Sequence, residues 1–183
     1  MVGVAIFLVV VLIARAIIKC YNNLVSGKEK VKNGWSQIDV QLRRRFDLIP
    51  NLVETVKGYA AHEKETLENV TMWRSRVSAA TTPEESMDAN AGLSGALGRL
   101  LVTMEKYPEL KANENFLKLQ AELTEIENKI AFARQFYNDT VQKYNLVVKK
   151  FPSNIIANMF KFKEEKFFEV DASVRETVPQ VKF

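Results

Sequence analysis

Residues 31–60, VKNGWSQIDV QLRRRFDLIP NLVETVKGYA, decide the fold. Val31, Trp35, Ile38, Leu42, Ile49, Leu52, Val56 and Tyr59 recur at alternating steps of four and three, and the same frame runs on through Val70, Trp73 and Val77. Only Arg45, Glu63 and Thr66 interrupt it. That spacing lays an apolar seam along a helix that runs nearly parallel to its neighbours, and the two-residue alternation of a strand is nowhere sustained. The fold class is therefore all-α. Pro50 stands mid-pattern, where its ring clashes with the carbonyl four residues back and its nitrogen donates nothing. A kink or break is expected there, dividing helices over about 20–49 and 50–80.

Toward the N-terminus the pattern gives way to an apolar run. Residues 1–14 carry no charged side chain, and after Arg15 the run resumes with Ala16, Ile17 and Ile18. Eighteen helical residues span roughly 27 Å, close to the hydrocarbon thickness of a bilayer, and Arg15 can snorkel to the headgroups. A transmembrane anchor over 1–19 is expected. A cleaved signal peptide fits poorly, since no basic residue precedes the run and no small-residue cleavage pattern follows it. Cys20 follows Ile17, Ile18 and Lys19, which is not a lipoprotein signal. Arg15, Lys19, Lys28, Lys30, Lys32, Arg43, Arg44 and Arg45 face only Glu29 and Asp39 in the same stretch, so the formal charge of +4 sits beside the anchor. Arg15, Lys19, Lys28, Lys30 and Lys32 are the expected membrane edge, in contact with lipid. By the positive-inside rule the expected orientation in the bacterial inner membrane is N-terminus out and bundle in the cytoplasm, with a periplasmic bundle as the alternative.

Toward the C-terminus Thr82, Pro83 and Glu85 read as N-cap, N1 and N3 of a capping box, starting a helix over 83–107. Gly92, Gly95 and Gly98 on that helix imply close approach of a neighbouring helix or a contact face for a second subunit. Pro108 precedes a long helix over 109–151, where Phe116, Leu119, Leu123, Ile126, Ile130, Ala133, Tyr137, Val141, Tyr144, Val148 and Phe151 hold a similar frame. Such lengths imply an elongated antiparallel bundle over 20–152. Pro152 ends it, and 153–183 comprises a short amphipathic helix, with Ile155, Ile156, Met159 and Phe160 apolar, and a tail containing Phe162, Phe167, Phe168 and Phe183. A tail so aromatic is expected to dock, on its own bundle by default.

Chemistry is harder to find. The chain of 183 residues has one histidine and one cysteine, His62 and Cys20, which disfavours imidazole-based nucleophile activation and a Cys/His metal site. His62 and Glu63 mimic half of a metalloprotease motif, but position 66 is threonine. A di-iron bundle needs Glu-x-x-His pairs, and position 59 is tyrosine. No phosphate-binding glycine loop is present. No enzyme, cofactor, metal or small-molecule substrate is expected, nor a nucleic-acid partner, because the basic residues cluster at the membrane edge. Asp39, Arg43, Arg44, Arg45 and Asp47 read as helical ion pairs, Asp39 with Arg43 and Arg43 with Asp47, or as a site for a lipid headgroup or acidic partner. With Trp35, the three glycines, Phe167, Phe168 and Phe183 they make up the expected interaction residues.

The stretches YNNLVSGKEKVKNGWSQIDVQLRRRFDLIPNLVETVKGYAAHEKETLENV, AGLSGALGRLLVTMEKYPELKANENFLKLQAELTEIENKIAFARQFYNDTVQKYN and FPSNIIANMFKF resemble the LemA family over essentially the whole chain. Gly34, where alanine is usual before the tryptophan, is a small departure. The resemblance implies a membrane helix followed by an antiparallel helical bundle, in bacteria, with no enzyme activity implied. Such proteins are often encoded near membrane metalloproteases of the HtpX type, which makes a protease of that kind an implied partner and envelope stress or membrane proteolysis an implied context. The expected role is a membrane-anchored, homo-oligomeric scaffold or adaptor. The alternatives are an anionic-lipid-binding or membrane-shaping protein and, less favoured, an enzyme built from Arg43 to Asp47 with Glu54 and Glu63.

Overall fold

The computed structural model describes residues 2–60 and 62–168. Its elements are six α-helices, α1 Val2–Lys57, α2 Lys64–Ala79, α3 Pro83–Met104, α4 Pro108–Lys111, α5 Glu114–Lys149 and α6 Ser153–Met159, with no strand among the described residues. The all-α reading holds.

The break expected at Pro50 is absent. Helix α1 runs through Pro50 and ends at Lys57, where Gly58 and Tyr59 turn the chain. Proline at position 50 leaves the carbonyl of Phe46 without its helical donor. Arg74 of α2 supplies one: its Nε lies 3.4 Å from that oxygen, while its guanidinium carbon sits 4.1 Å from the centroid of the Phe46 ring. A tertiary contact thus offsets a local defect. The last long helix also begins later than Pro108 suggested. A four-residue turn, α4, comes first, and Asn113 then caps α5 by accepting from the backbone N–H of Phe116 at 3.0 Å. The α3 start follows the capping-box reading: Thr82 Oγ1 accepts from Glu85 N at 3.2 Å, and Glu85 Oε2 accepts from the backbone N–H groups of Thr82 and Thr81.

The chain divides into two compact units. The first is Met1–Ile38 with Phe132–Phe167. Here α1 and α5 run antiparallel: the Gly27 backbone lies against the Tyr144 ring and Gly34 against Tyr137, and Trp35 meets Tyr137 edge-on with ring centroids 6.0 Å apart. The segment after α6 returns along α5. Asn145 and the backbone of Glu165 exchange two hydrogen bonds, at 2.8 and 2.9 Å, and the Tyr137 hydroxyl donates to the carbonyl of Lys166 at 3.0 Å. As far as it is described, the tail docks on its own bundle.

The second unit is Asp39–Ala131 with Phe168–Phe183. Its core gathers Ile49, Leu52 and Val56 of α1, Leu67 and Val70 of α2, Leu93, Leu97 and Leu100 of α3, and Phe116 and Leu123 of α5. Of these, Ile49, Leu52, Val56, Val70, Phe116 and Leu123 are apolar frame positions of the sequence, buried as that spacing requires, whereas Tyr59 of the same frame is 42 % exposed in the turn after α1.

Candidate functional site

The apolar start of α1 contains an 18-residue window of mean hydropathy 2.6, none of it buried by the rest of the chain. It is long and apolar enough to cross a membrane. Phe7, Leu8, Leu12, Ile13 and Ile18 all stand exposed on it. Leu24 is the first fully buried side chain along α1.

Because α1 is continuous, the expected basic edge is drawn out along it. Arg15 and Lys32 stand about 26 Å apart at 1.5 Å per residue, deeper than a headgroup layer. All five cations are exposed, but Lys28, Lys30 and Lys32 lie beyond headgroup depth if Lys19 lies within it. Lys30 and Lys32 instead border a shallow polar concavity with Ser26, Glu29, Asn33 and Ser36, all from α1.

Arg45 departs furthest from its reading as part of an exposed recognition patch. It is 1 % exposed and among the largest fully buried side chains. Nη1 donates to Ser94 Oγ at 2.6 Å and Glu127 Oε1 at 2.8 Å, and Nη2 to Asn90 Oδ1 at 2.7 Å and the Asn90 carbonyl at 3.2 Å. One guanidinium thereby ties α1 to α3 and α5. The clue was present in the sequence: Arg45 occupies a seam position of the apolar frame, where a polar side chain is buried and must find partners. Its partners Asn90, Ser94 and Glu127 carry no signal of their own until the helices are aligned.

The other expected residues are scattered. Arg43, Arg44, Asp39 and Asp47 are exposed, and among the described residues neither Asp39 with Arg43 nor Arg43 with Asp47 closes to an ion pair. Exposed pairs gain too little to hold two long side chains in place. Trp35 is half-buried against Tyr137. Gly92 meets the indole of Trp73 so closely that a Cβ would fall 2.3 Å from it, whereas Gly95 and Gly98 are exposed with nothing within 4 Å of theirs. The three do not form one contact stripe. Phe168 is buried, Phe167 is exposed, and Phe183 lies outside the described residues.

Among the described residues the carboxylates, tyrosines and histidine of the sequence reading do not converge on one site. Glu63 accepts from the Tyr107 hydroxyl at 3.0 Å, which raises the tyrosine pKa, and Glu54 pairs with Lys57 on the surface. His62 is exposed in the turn after α1. Among the described residues no group of three His, Cys, Asp or Glu side chains converges. The arrangement is a membrane-competent helix built into a clamped helical body.

The sequence profile of the LemA family matches residues 34–183. The chain is 26 % identical over 192 aligned residues to magnetosome protein MamQ 2 of Paramagnetospirillum magneticum, covering 91 % of this chain and 70 % of that protein. Protein LemA of Metamycoplasma hominis is 26 % identical over 161 residues, 83 % of this chain and 74 % of that one. Magnetosome protein MamQ of Magnetospirillum gryphiswaldense is 25 % identical over 174 residues, 81 % and 64 % of the two chains. The profile begins at Gly34, in the helix that carries both the apolar run and the Arg45 clamp, and extends to the last residue; this chain belongs to the LemA family.

Proposed function

We propose that this protein is a membrane-anchored scaffold or adaptor that works as a homo-oligomer. Helix α1 crosses the bacterial inner membrane between Val2 and about Ile18, and the helical body stands in the cytoplasm. One observation carries the reading: the unburied apolar window and the buried seam are parts of one helix, Val2–Lys57. In water, each exposed Leu, Ile or Phe of the window forgoes about 1.5–3 kcal/mol that burial would supply, and a bilayer removes that penalty. An anchor continuous with its body transmits position and orientation, which suits a scaffold. The cytoplasmic side follows from Arg15 and Lys19 at the inner end of the window.

Protease treatment of spheroplasts tests the topology: the body is expected to survive intact, and its digestion from outside would place it in the periplasm. Light scattering of the detergent-extracted chain is expected to report more than one copy per particle, and a monomer at all concentrations would remove the oligomer. Crosslinking in native membranes then identifies the partner. A membrane metalloprotease of HtpX type is the candidate that the family resemblance supplies.

A further inference from the structure

The foot of the first unit presents an apolar patch. Phe151, Ile155, Met159 and Phe160 are exposed to 77, 55, 59 and 49 %, while Ile156 and Ala157 on the opposite side of α6 are buried. Ile155 and Met159 are four apart and share a helix face. A patch of this kind on a small element is not left to water without a use.

Its height along α1 is fixed by packing. Gly27 faces Tyr144, and seven residues on, Gly34 faces Tyr137. The same antiparallel register carried seven residues the other way brings Phe151 level with Cys20. Tyr21 confirms the level from the other side of the turn, with its ring centroid 4.8 Å from that of Phe160 and 5.8 Å from that of Phe162. The patch therefore lies beside the end of the apolar run of α1, where Ile18 is still exposed and Lys19 follows.

Charge is arranged to match. Lys150, Lys161 and Lys163 flank the patch and are all exposed. Lys161 sits at φ 61, in the left-handed region where glycine is the easy choice. It closes a Schellman turn, its own N–H donating to Asn158 O at 3.3 Å and that of Phe162 to Ala157 O at 2.9 Å. A lysine thus stands where the backbone disfavours a side chain.

We infer that α6 and its flanking turns form a second membrane contact, in which Phe151, Ile155, Met159 and Phe160 dip into the interfacial layer of the leaflet that α1 leaves and Lys150, Lys161 and Lys163 engage anionic headgroups. Aromatic and aliphatic side chains beside lysines are what an interfacial element requires. The inference rests on α1 being the anchor. With two contacts on one leaflet the first unit is held against tilting, which a single helix does not achieve.

The test uses the full chain carrying Cys20→Ser, reconstituted in bilayers of phosphatidylethanolamine and phosphatidylglycerol, with a nitroxide at Met159→Cys, Ile6→Cys or Leu117→Cys. The ratio of oxygen to nickel-chelate collisions reports depth. At position 159 it is expected to exceed that at position 117 several-fold, and to fall in pure phosphatidylcholine or when Lys150, Lys161 and Lys163 are all changed to Glu. A water-like ratio at 159 with a deep signal at 6 overturns the second contact and leaves the anchor standing. A water-like ratio at 6 overturns both. Loss of both collision rates at 159 means that a second protein copy covers the patch, and the lipid assignment fails. A ratio at 159 indifferent to lipid charge and to the lysines removes the headgroup part.

Discussion

Arg45 shows how one residue can hold three helices. Its buried guanidinium gives four hydrogen bonds to Asn90, Ser94 and Glu127, and truncating it leaves the buried Asn90 without its donor, while Ser94 and the half-exposed Glu127 carboxylate can turn to water. Arg45→Ala is expected to destabilise the body by about 2–3 kcal/mol, from the unpaired buried Asn90 and the cavity left behind, read as a lower midpoint in thermal or urea unfolding. Glu127 is half-buried, so Glu127→Gln is expected to cost about 1–2 kcal/mol. The glycines of α3 divide by the same criterion of surroundings. Gly92→Ala drives a methyl group into the Trp73 indole and is expected to destabilise, whereas Gly95→Ala meets open space and is expected to stabilise by about 0.5–1 kcal/mol through helix propensity. Equal effects at the two positions in unfolding experiments would refute the Trp73 contact. Gly34 belongs with the tolerant class. A Cβ there lies 3.5 Å from Tyr137, an ordinary contact, so the alanine usual in the family is expected to fit.

At the scale of elements, the continuity of α1 depends on α2. Proline at position 50 orphans the Phe46 carbonyl, and Arg74 answers it with a donor and with a guanidinium over the ring. Arg74→Ala is expected to cost about 1–2 kcal/mol, the sum of a modest hydrogen bond and a cation–π contact. Pro50→Ala restores the helical donor, so in that background Arg74→Ala is expected to cost less. A double-mutant cycle with no coupling between the two positions would show that Arg74 acts by packing alone. Continuity has a functional side as well. If α1 broke at Pro50, the membrane segment and the Arg45 clamp would still share a helix, but Leu52 and Val56 would lose their fixed register with α3.

For the whole molecule, Glu85 contributes to the acid end of the stability–pH profile, beside Glu125, and Tyr144 to the alkaline end, beside Tyr107. Hydrogen bonds from the backbone and side chain of Thr81 and from Thr82 hold the Glu85 carboxyl below its ordinary value of 4.5. That contribution is present above the unfolded pKa and is lost as pH falls through the folded one, so the α3 cap weakens in acid. Burial, with Glu165 nearby, raises the Tyr144 hydroxyl above its ordinary 10.0. Its contribution is present below the unfolded pKa and is lost as pH rises through the folded value. Melting temperature is therefore expected to fall at both extremes, with Glu85→Gln flattening the acid limb and Tyr144→Phe the alkaline one. Unchanged slopes in the variants would assign the limbs to other groups. Much of this molecule was legible in order of sequence. The apolar run of 1–18, the seam from Val31 to Val77 and the capping box at Thr82 each depend on neighbours in the chain, because helical periodicity and capping are local properties. What only the tertiary structure decided depends on residues far apart: that α1 passes Pro50, because Arg74 arrives 24 positions later in the chain; that Arg45 is a core clamp, because Asn90, Ser94 and Glu127 converge on it; and that α6 stands beside the end of the apolar run, because α5 returns antiparallel to α1. Periodicity places a residue on a face, but only packing determines which partner that face meets.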